Sequence, residues 1–319
     1  MRVLKFGGKS LATAEQTKQI CKFIKKIYKD KKELVIVVSA MGNTTNELIK
    51  NAKLYGNTHK NAREMAKLLT TGEIESSALV AIMLCSMGVP AISYTAKDIG
   101  LKTFGGYSEA KIKSININKI KKQTSQGKVV VVAGFQGVNY AGEFTTLGRG
   151  GSDTTATAIA SILGANVEIY SDFNGIFCGD PALSHFKKLK SISYDMVISM
   201  AEAGAKVIEK RSAKIAKKFN IKIISKASSK PNLSGTIISN IEDENETICI
   251  TQNLSKITII VPSEFKKIKI LKSVLTILKD FTYQNFSVGS NKIEFFVNCV
   301  DEINVCKLIS KKLNLLKNH

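Results

Sequence analysis

Thr145-Thr146-Leu147-Gly148-Arg149-Gly150-Gly151-Ser152-Asp153-Thr154-Thr155-Ala156 joins two stretches of different character. Ahead of it, Val129 to Ala133 is an unbroken apolar run, the pattern of a strand buried on both faces. Behind it, Thr154 to Leu163 is Ala-rich with helical patterning, and Ser152 and Asp153 are candidate N-caps. Glycines clustered between such a strand and such a helix let the backbone turn tightly and approach a ligand. The helix start behind them offers N–H groups and a partial positive charge. Arg149 adds a bidentate fork suited to a carboxylate or phosphate, and Asp153 places a carboxylate beside it.

The same strand–turn–helix unit recurs on either side. Residues 2–6 form a short apolar strand ending at Gly7-Gly8-Lys9-Ser10, followed by an amphipathic helix carrying Leu11, Ala14, Ile20, Phe23, Ile24 and Ile27. Leu34 to Val38 is another continuous apolar strand, and Ser39 to Thr45 is its polar turn. Helical patterns follow at 46–55, 60–69, 72–86, 154–164 and 193–218, and strands at 89–94, 167–171 and 221–225. Alternation of this kind predicts an α/β fold, a mostly parallel sheet covered by helices on both faces. Ligands of such sheets bind at the carboxyl ends of the strands, where the glycine turns fall.

Residues 227–235 read as a polar connector, and the acidic run Glu242-Asp243-Glu244-Asn245-Glu246 marks a boundary. Strand patterns at 247–251 and 256–261 lead to a helix over 264–280. Phe265, Ile268, Leu271, Val274, Leu275, Leu278 and Phe281 form its apolar stripe. A hairpin at 283–299 and a helix at 301–316 complete a small α+β unit. The expected organisation is therefore two domains, 1–240 and 241–319.

Hydrophobic content of 44% and charged content of 23% fit an ordinary globular chain. No apolar run approaches the ~18 residues of a membrane helix, and the start, Met1 to Lys5, does not read as a signal peptide. The expectation is a cytoplasmic protein with no membrane partner. Cysteines 21, 85, 178, 249, 299 and 306 lack C-x-x-C spacing and sit mostly in apolar stretches, so buried thiols are expected rather than disulfides or zinc. His59, His185 and His319 are too scattered for a metal cluster. The net charge of +21 is uneven, with +2 on the tail from Ile241 and +19 on the rest. That field attracts anionic substrates such as nucleotides. No aromatic-interleaved basic motif or helix-turn-helix pattern supports nucleic acid binding.

Lys5-Phe6-Gly7-Gly8-Lys9-Ser10 ends like a P-loop, but Val3 stands where that motif requires its first glycine, inside a strand. A short Gly-Gly turn with Lys5 projecting still suits a polyphosphate. Taken in order, several blocks resemble aspartokinases. These are Lys5-Phe6-Gly7-Gly8-x-Ser10, Val38-Ser39-Ala40, Thr70-Thr71-Gly72-Glu73, Gly134-Phe135-Gln136-Gly137 and Thr146 to Thr154. Ser171-Asp172-Phe173-Asn174-Gly175-Ile176-Phe177, Asp180-Pro181 and Gly204-Ala205-Lys206 continue the series, which covers about residues 2–239.

The resemblance implies the amino-acid-kinase three-layer αβα sandwich and ATP-dependent phosphorylation of the L-aspartate side chain to 4-phospho-L-aspartate. That is the first step toward lysine, threonine and methionine. The substrate carboxylate, with a pKa near ~4, is already ionised and needs no general base. The work is to align two anions and neutralise the transferred phosphoryl group. On the resemblance, Lys5 and Lys206 supply that charge, with Mg²⁺ bridging the phosphates and Asp153 orienting Lys5. Gly7 and Gly8 offer amides, while Ser171, Asp172 and Phe177 contact ATP. Arg149 grips a substrate carboxylate, Glu73 takes the ammonium group, and Ser39, Thr45 and Ser152 add hydrogen bonds.

The chain departs from the family at Lys9 (usually Thr), Asn174 (Asp), Phe177 (Tyr), Cys178-Gly179 (a Thr-containing pair) and Ala182 (Arg). All lie on the nucleotide side, so aspartate recognition is expected to be retained and ATP to be held differently and more weakly. Residues 247–319 resemble an ACT regulatory domain, with room for one unit where the family commonly has two. Pro262-Ser263-Glu264 replaces the usual Asp-Arg-Pro-Gly-like loop. The expectation is a homodimer-forming tail with weak or absent feedback by lysine or threonine. Two other readings stay open: an amino-acid kinase for a related acid such as glutamate, and a catalytically weakened aspartokinase-like binding protein.

Overall fold

The computed structural model describes residues 1–30, 33–243, 246–251 and 255–317. Glu244, Asn245 and His319, which belong to the acidic run and the histidine set above, lie outside them. In chain order the elements up to the Gly-rich loop begin with β1 (Arg2–Phe6), a 3-10 turn (Gly8–Leu11), α1 (Ala14–Asp30), β2 (Leu34–Val38), α2 (Thr44–Tyr55) and α3 (Ala62–Ser86). They continue with β3 (Ala91–Tyr94), β4 (Lys102–Phe104), β5 (Lys111–Ser114), α4 (Asn118–Ser125), β6 (Val129–Ala133), β7 (Gln136–Val138) and β8 (Phe144–Thr146). After the loop come α5 (Gly151–Leu163), β9 (Val167–Ser171), β10 (Ser191–Ser193), α6 (Tyr194–Glu202), α7 (Lys210–Phe219), β11 (Ile223–Ala227) and β12 (Thr236–Ser239). The tail holds β13 (Thr247–Thr251), β14 (Lys256–Ile260), α8 (Glu264–Leu278), β15 (Tyr283–Val288), β16 (Lys292–Val297) and α9 (Glu302–Lys312).

The chain divides into two compact units. The first is Met1–Asn174 with Lys214–Gly235, and the second Gly175–Ala213 with Thr236–His319. The second unit thus takes in 175–213 as well as the tail, where the sequence suggested one division at 240.

In the first unit six parallel strands run in the order β11-β9-β1-β2-β6-β3. The register pairs Leu4 with Ile36 and Phe6 with both Val38 and Tyr170. Side chains alternate across a strand, so Leu4, Phe6, Leu34, Ile36, Val38, Val129, Val131 and Tyr170 share one face. They pack there with Ile20, Ile24 and Ile27 of α1 and Val80 and Leu84 of α3. The opposite face carries Val3, Lys5, Val35, Val37 and Ile169, and α5 packs against β1, β2 and β9. Burial on both faces is why these strands lack polar alternation. Phe6 stacks on Tyr170 with ring centroids 4.8 Å apart. A small second sheet, β5-β4-β7-β8, belongs to the same unit and was not expected from the sequence.

The second unit contains the parallel pair β10–β12 and an antiparallel sheet in the order β13-β14-β16-β15, with α8 and α9 packed together. Its α+β character agrees with the ACT-like reading of the tail.

Several expectations need correction. The helices at 60–69 and 72–86 are one helix, α3, that runs through Gly72. Gly72 is accommodated because an added Cβ would meet the Ala40 Cβ at 2.9 Å, so close packing there requires no side chain. The pattern at 193–218 splits into α6 and α7 around Gly204, whose φ is 88°. The strand expected at 221–225 begins two residues later, at Ile223. One 18-residue window of α3 reaches a mean hydropathy of 1.4, long and apolar enough by composition for a membrane span. That helix instead packs on β2, β3, β6 and β8, with buried Glu73 near its middle.

Candidate active site

The candidate site of the first unit lies at the carboxyl edge of β9, β1, β2 and β6. Because these strands are parallel and in register, their following turns lie side by side, and backbone bonds stitch them together. Gly7 N–H donates to Tyr170 O (3.3 Å), Ser39 N–H to Phe6 O (3.2 Å) and Gly134 N–H to Val38 O (2.9 Å). Gly42 N–H donates to Gly8 O at 2.9 Å, closing the β2 turn onto the β1 turn. The Gly7 amide therefore extends the β1–β9 ladder and is not free to donate to a phosphate as the sequence reading expected. A Cβ on Gly8 would fall 2.3 Å from Ala40 O, so only glycine lets these two turns touch.

The Gly-rich loop arrives above this edge. Gly148 and Gly150 adopt φ of 71° and 67°, which glycine takes without strain. Gly150 is the residue before the helix, so Ser152 and Asp153 lie in the first turn of α5 rather than capping it. The reason is steric. Gly151 packs so tightly against Phe135 and Leu147 that its Cβ would meet them at 2.9–3.1 Å, and the helix begins at that contact. Phe135 itself has φ 67°, costly for a side-chain-bearing residue, and its carbonyl accepts from Leu147 N–H at 2.7 Å. A Cβ on Gly134 would lie 2.7 Å from Ser152. Gly134 and Phe135 thus seat the α5 start, a role not assigned to them from sequence; their signal was an aromatic between glycines directly after a buried strand.

Lys5 and Asp153 meet here. Lys5 points to the α5 face of the sheet, and its Nζ lies 2.6 Å from Asp153 Oδ1, with the side chains 12% and 13% exposed. Glu73, on α3, is 3% exposed. Its Oε1 accepts from Ala40 N–H at 3.0 Å, while Oε2 is buried with no hydrogen-bond partner among the described residues. Burial pushes its pKa up to about 7, against a smaller lowering by the Ala40 N–H. Arg149 is exposed in the loop, and Ser39 and Thr45 are half-buried, Thr45 in the first turn of α2. Ser171 ends β9, and its carbonyl accepts from Ser228 N–H at 2.9 Å. Asp172 pairs with Lys9, Nζ to Oδ2 3.0 Å, both groups well exposed. The extra cation at position 9 is thus engaged by a residue expected at the nucleotide.

Phe177 and Lys206 belong to the second unit. Phe177 is half-buried and bridges to Lys188, and Lys206 is exposed between α6 and α7. The edge of the first unit therefore gathers Lys5, Glu73, Ser152 and Asp153 around the glycine turns, with Arg149 on the loop above. It offers a fixed ammonium and a buried carboxylate with one unpartnered oxygen, while Gly8, Gly134 and Gly151 let the turns pack closely on one another.

Comparison with known proteins gives the family. Residues 1–224 match the model of the amino acid kinase family. The chain is 43% identical to an aspartokinase of Bacillus sp. (strain MGA3) over 254 residues, which are 79% of this chain and 60% of that protein. It is 41% identical to a Thermus thermophilus aspartokinase over 244 residues, 76% of this chain and 60% of the relative. The chain thus spans about 60% of the length of these relatives. Among solved structures, aspartate kinase from Synechocystis superposes with a TM-score of 0.66 at 30% identity, covering 98% of this chain and 56% of that one. E. coli aspartokinase III in complex with aspartate and ADP shares the fold, with a TM-score of 0.83 at 18% identity over 98% of this chain and 100% of that one. With the family model matched over most of its length and the glycine turns meeting as the fold requires, this chain belongs to the amino acid kinase family.

Proposed function

We propose that the chain transfers the γ-phosphoryl group of ATP to the side-chain carboxylate of L-aspartate, forming 4-phospho-L-aspartate. The observation that carries this reading is Glu73. A buried carboxylate with one unpartnered oxygen asks for a cation, and the ammonium of an α-amino acid supplies one. Arg149 then holds a substrate carboxylate, and Ser39, Thr45 and Ser152 complete the hydrogen bonds. Lys5, held by Asp153, neutralises charge on the phosphoryl group, and the reading gives Lys206 the same role. ATP is held at Gly8, Ser171, Asp172 and Phe177. Among the described residues no group of three His, Cys, Asp or Glu side chains is placed to hold a metal. Mg²⁺ in this reading rides on the nucleotide phosphates, the usual arrangement for an ion that keeps several waters. There it would neutralise phosphate charge.

Incubation with ATP, Mg²⁺ and aspartate or glutamate in hydroxylamine tests the proposal, since acyl phosphate is trapped as hydroxamate. Hydroxamate with aspartate alone is expected. Product with glutamate instead would shift the substrate to a related acid, and no product with either would leave a binding protein. The reading also places the chain in the cytoplasm, at the first step toward lysine, threonine and methionine. The free Cys21, Cys178, Cys249 and Cys306, all buried, support a reducing compartment. An ACT-like homodimer formed through the tail is part of the same proposal. It is supported by exposed Tyr283 and Val288 on the edge strand β15.

A further inference from the structure

A groove of about 700 Å³ lies in the first unit between α1 and the turn that follows β11. It opens on the α1 face of the sheet, whereas Lys5 and Asp153 meet on the α5 face. We propose that this groove is a second ligand site, for a small anion bearing two or more phosphate groups.

Three observations carry the proposal. First, Lys22 and Lys26 line the groove one helical turn apart, so their stems rise side by side. Neither forms an ion pair with a described residue, whereas Lys9, which also lines it, does. Second, Ser10 lines the same groove, is 7% exposed, and its buried hydroxyl has no hydrogen-bond partner among the described residues. An unsatisfied buried hydroxyl at the wall of a cavity marks a place where a ligand atom or water completes the bond. Third, Asp172 is the one carboxylate among the lining residues, and its charge is offset by Lys9 at 3.0 Å. The proposed function also gives Asp172 to ATP, so the groove adjoins the proposed nucleotide site there. The remaining polar wall, Ser228 and Asn232, can donate to phosphate oxygens, and Phe23 offers a ring against which a base can lie.

Free inorganic tripolyphosphate and a nucleoside diphosphate share this chemistry, and titration separates them. Calorimetric titration of the full chain with ADP is compared between wild type and Lys22→Ala/Lys26→Ala, then repeated with tripolyphosphate present. The double variant is expected to bind one ADP fewer per chain and to keep the wild-type KM for ATP in turnover. The difference of one equivalent does not depend on whether the catalytic site itself takes ADP, so this inference and the proposed kinase reaction can fail separately. Lys22→Arg/Lys26→Arg should restore the equivalent, and raising salt from 50 to 300 mM should weaken it at least tenfold. Tripolyphosphate displacing that equivalent assigns recognition to the phosphate chain, and failure to displace it assigns recognition to the nucleotide. Equal stoichiometry in wild type and the double alanine variant would overturn the proposal.

Discussion

Replacing Glu73 by Gln should make the protein more stable and a poorer kinase, with the stability gain growing as pH rises. In the folded chain burial raises the Glu73 pKa from 4.5 to about 7. The fold therefore binds this proton more tightly than the unfolded chain does. The contribution is fully present below pH 4.5, shrinks as pH climbs from there to 7, and is level above. At about 1.4 kcal/mol per pH unit the whole loss is roughly 3 kcal/mol. About 1 kcal/mol of it has gone by pH 5.5 and all of it by pH 8.5. Glutamine carries no charge at any of these values, so the variant escapes the loss. Its weaker acceptance of the Ala40 N–H, and its amide nitrogen in place of the unpartnered oxygen, cost the same at both pH values and cancel from the comparison. The gain of Glu73→Gln over wild type should thus be about 2 kcal/mol larger at pH 8.5 than at pH 5.5, or about 4–8 °C in Tm.

Binding should move the other way. The ammonium of aspartate needs the ionised carboxylate, so wild-type KM for aspartate should rise about tenfold per unit as pH falls below 7. In Glu73→Gln it should rise about 10–100-fold at pH 8, the worth of one charged hydrogen bond, and lose its pH dependence. Thermal unfolding at the two pH values and KM between pH 6 and 8 check both halves. A Tm difference that does not change with pH, or a flat wild-type KM, would refute the reasoning.

Lys5→Ala should cut kcat by about 10²–10³-fold and lower Tm by stranding Asp153; Lys5→Ala/Asp153→Ala should recover Tm and not kcat, read by coupled assay and calorimetry. Gly8→Ala drives a methyl to 2.3 Å from Ala40 O, a backbone atom that cannot swing aside. Its cost should be about 1–3 kcal/mol, seen as a lower Tm together with a raised KM for ATP. Lysine or threonine at millimolar concentration should leave activity above half, because Pro262-Ser263-Glu264 stands where the Asp-Arg-Pro-Gly-like loop was expected; half-inhibition measured in the same assay would contradict that.

The parallel sheet was legible because its strands are buried on both faces and so read as continuous apolar runs at Leu34–Val38 and Val129–Ala133. The small sheet was not, because three-residue strands such as Gln136–Val138 are too short to show a period. Lys5, Ser39 and Ser152 could be singled out from motifs because each lies near a strand end or a helix start beside a glycine turn. The start of α5 was misplaced because Gly150 and Gly151 look like loop in sequence. Only their packing on Phe135 and Leu147 shows that the helix has already begun. Burial of Glu73 was equally hidden, since a glutamate in a helix is usually solvated. Gly72 packed on Ala40 is what brings it inside.

The departures on the nucleotide side divide once the second unit is considered by itself. Residues 176–189 form a hairpin there, with Cys178 N–H donating to Lys187 O and Leu189 N–H to Ile176 O, both 2.9 Å. The tail holds both its strands. Ile248 N–H donates to Cys178 O at 2.8 Å, Lys187 N–H to Leu315 O at 2.9 Å, and Lys317 N–H to His185 O at 2.9 Å. These are backbone bonds, which carry no sequence signature, and they explain why a division at 240 separates residues that fold together. Gly179 lies flat on Phe186, where a Cβ would meet the ring at 2.4 Å, and Cys178 is 2% exposed. The Cys178-Gly179 pair is therefore dictated by how the hairpin packs. Ala182 sits at the hairpin tip, where its N–H donates to the side-chain Oδ1 of Asp180 at 2.9 Å and Leu183 N–H donates to Asp180 O at 3.0 Å, so Asp180 closes the turn and no arginine is needed for its shape. What an arginine would add there is charge. Under the proposed function, differences toward ATP would therefore rest on the charge missing at Ala182, the charge added at Lys9, and the side chains of Asn174 and Phe177.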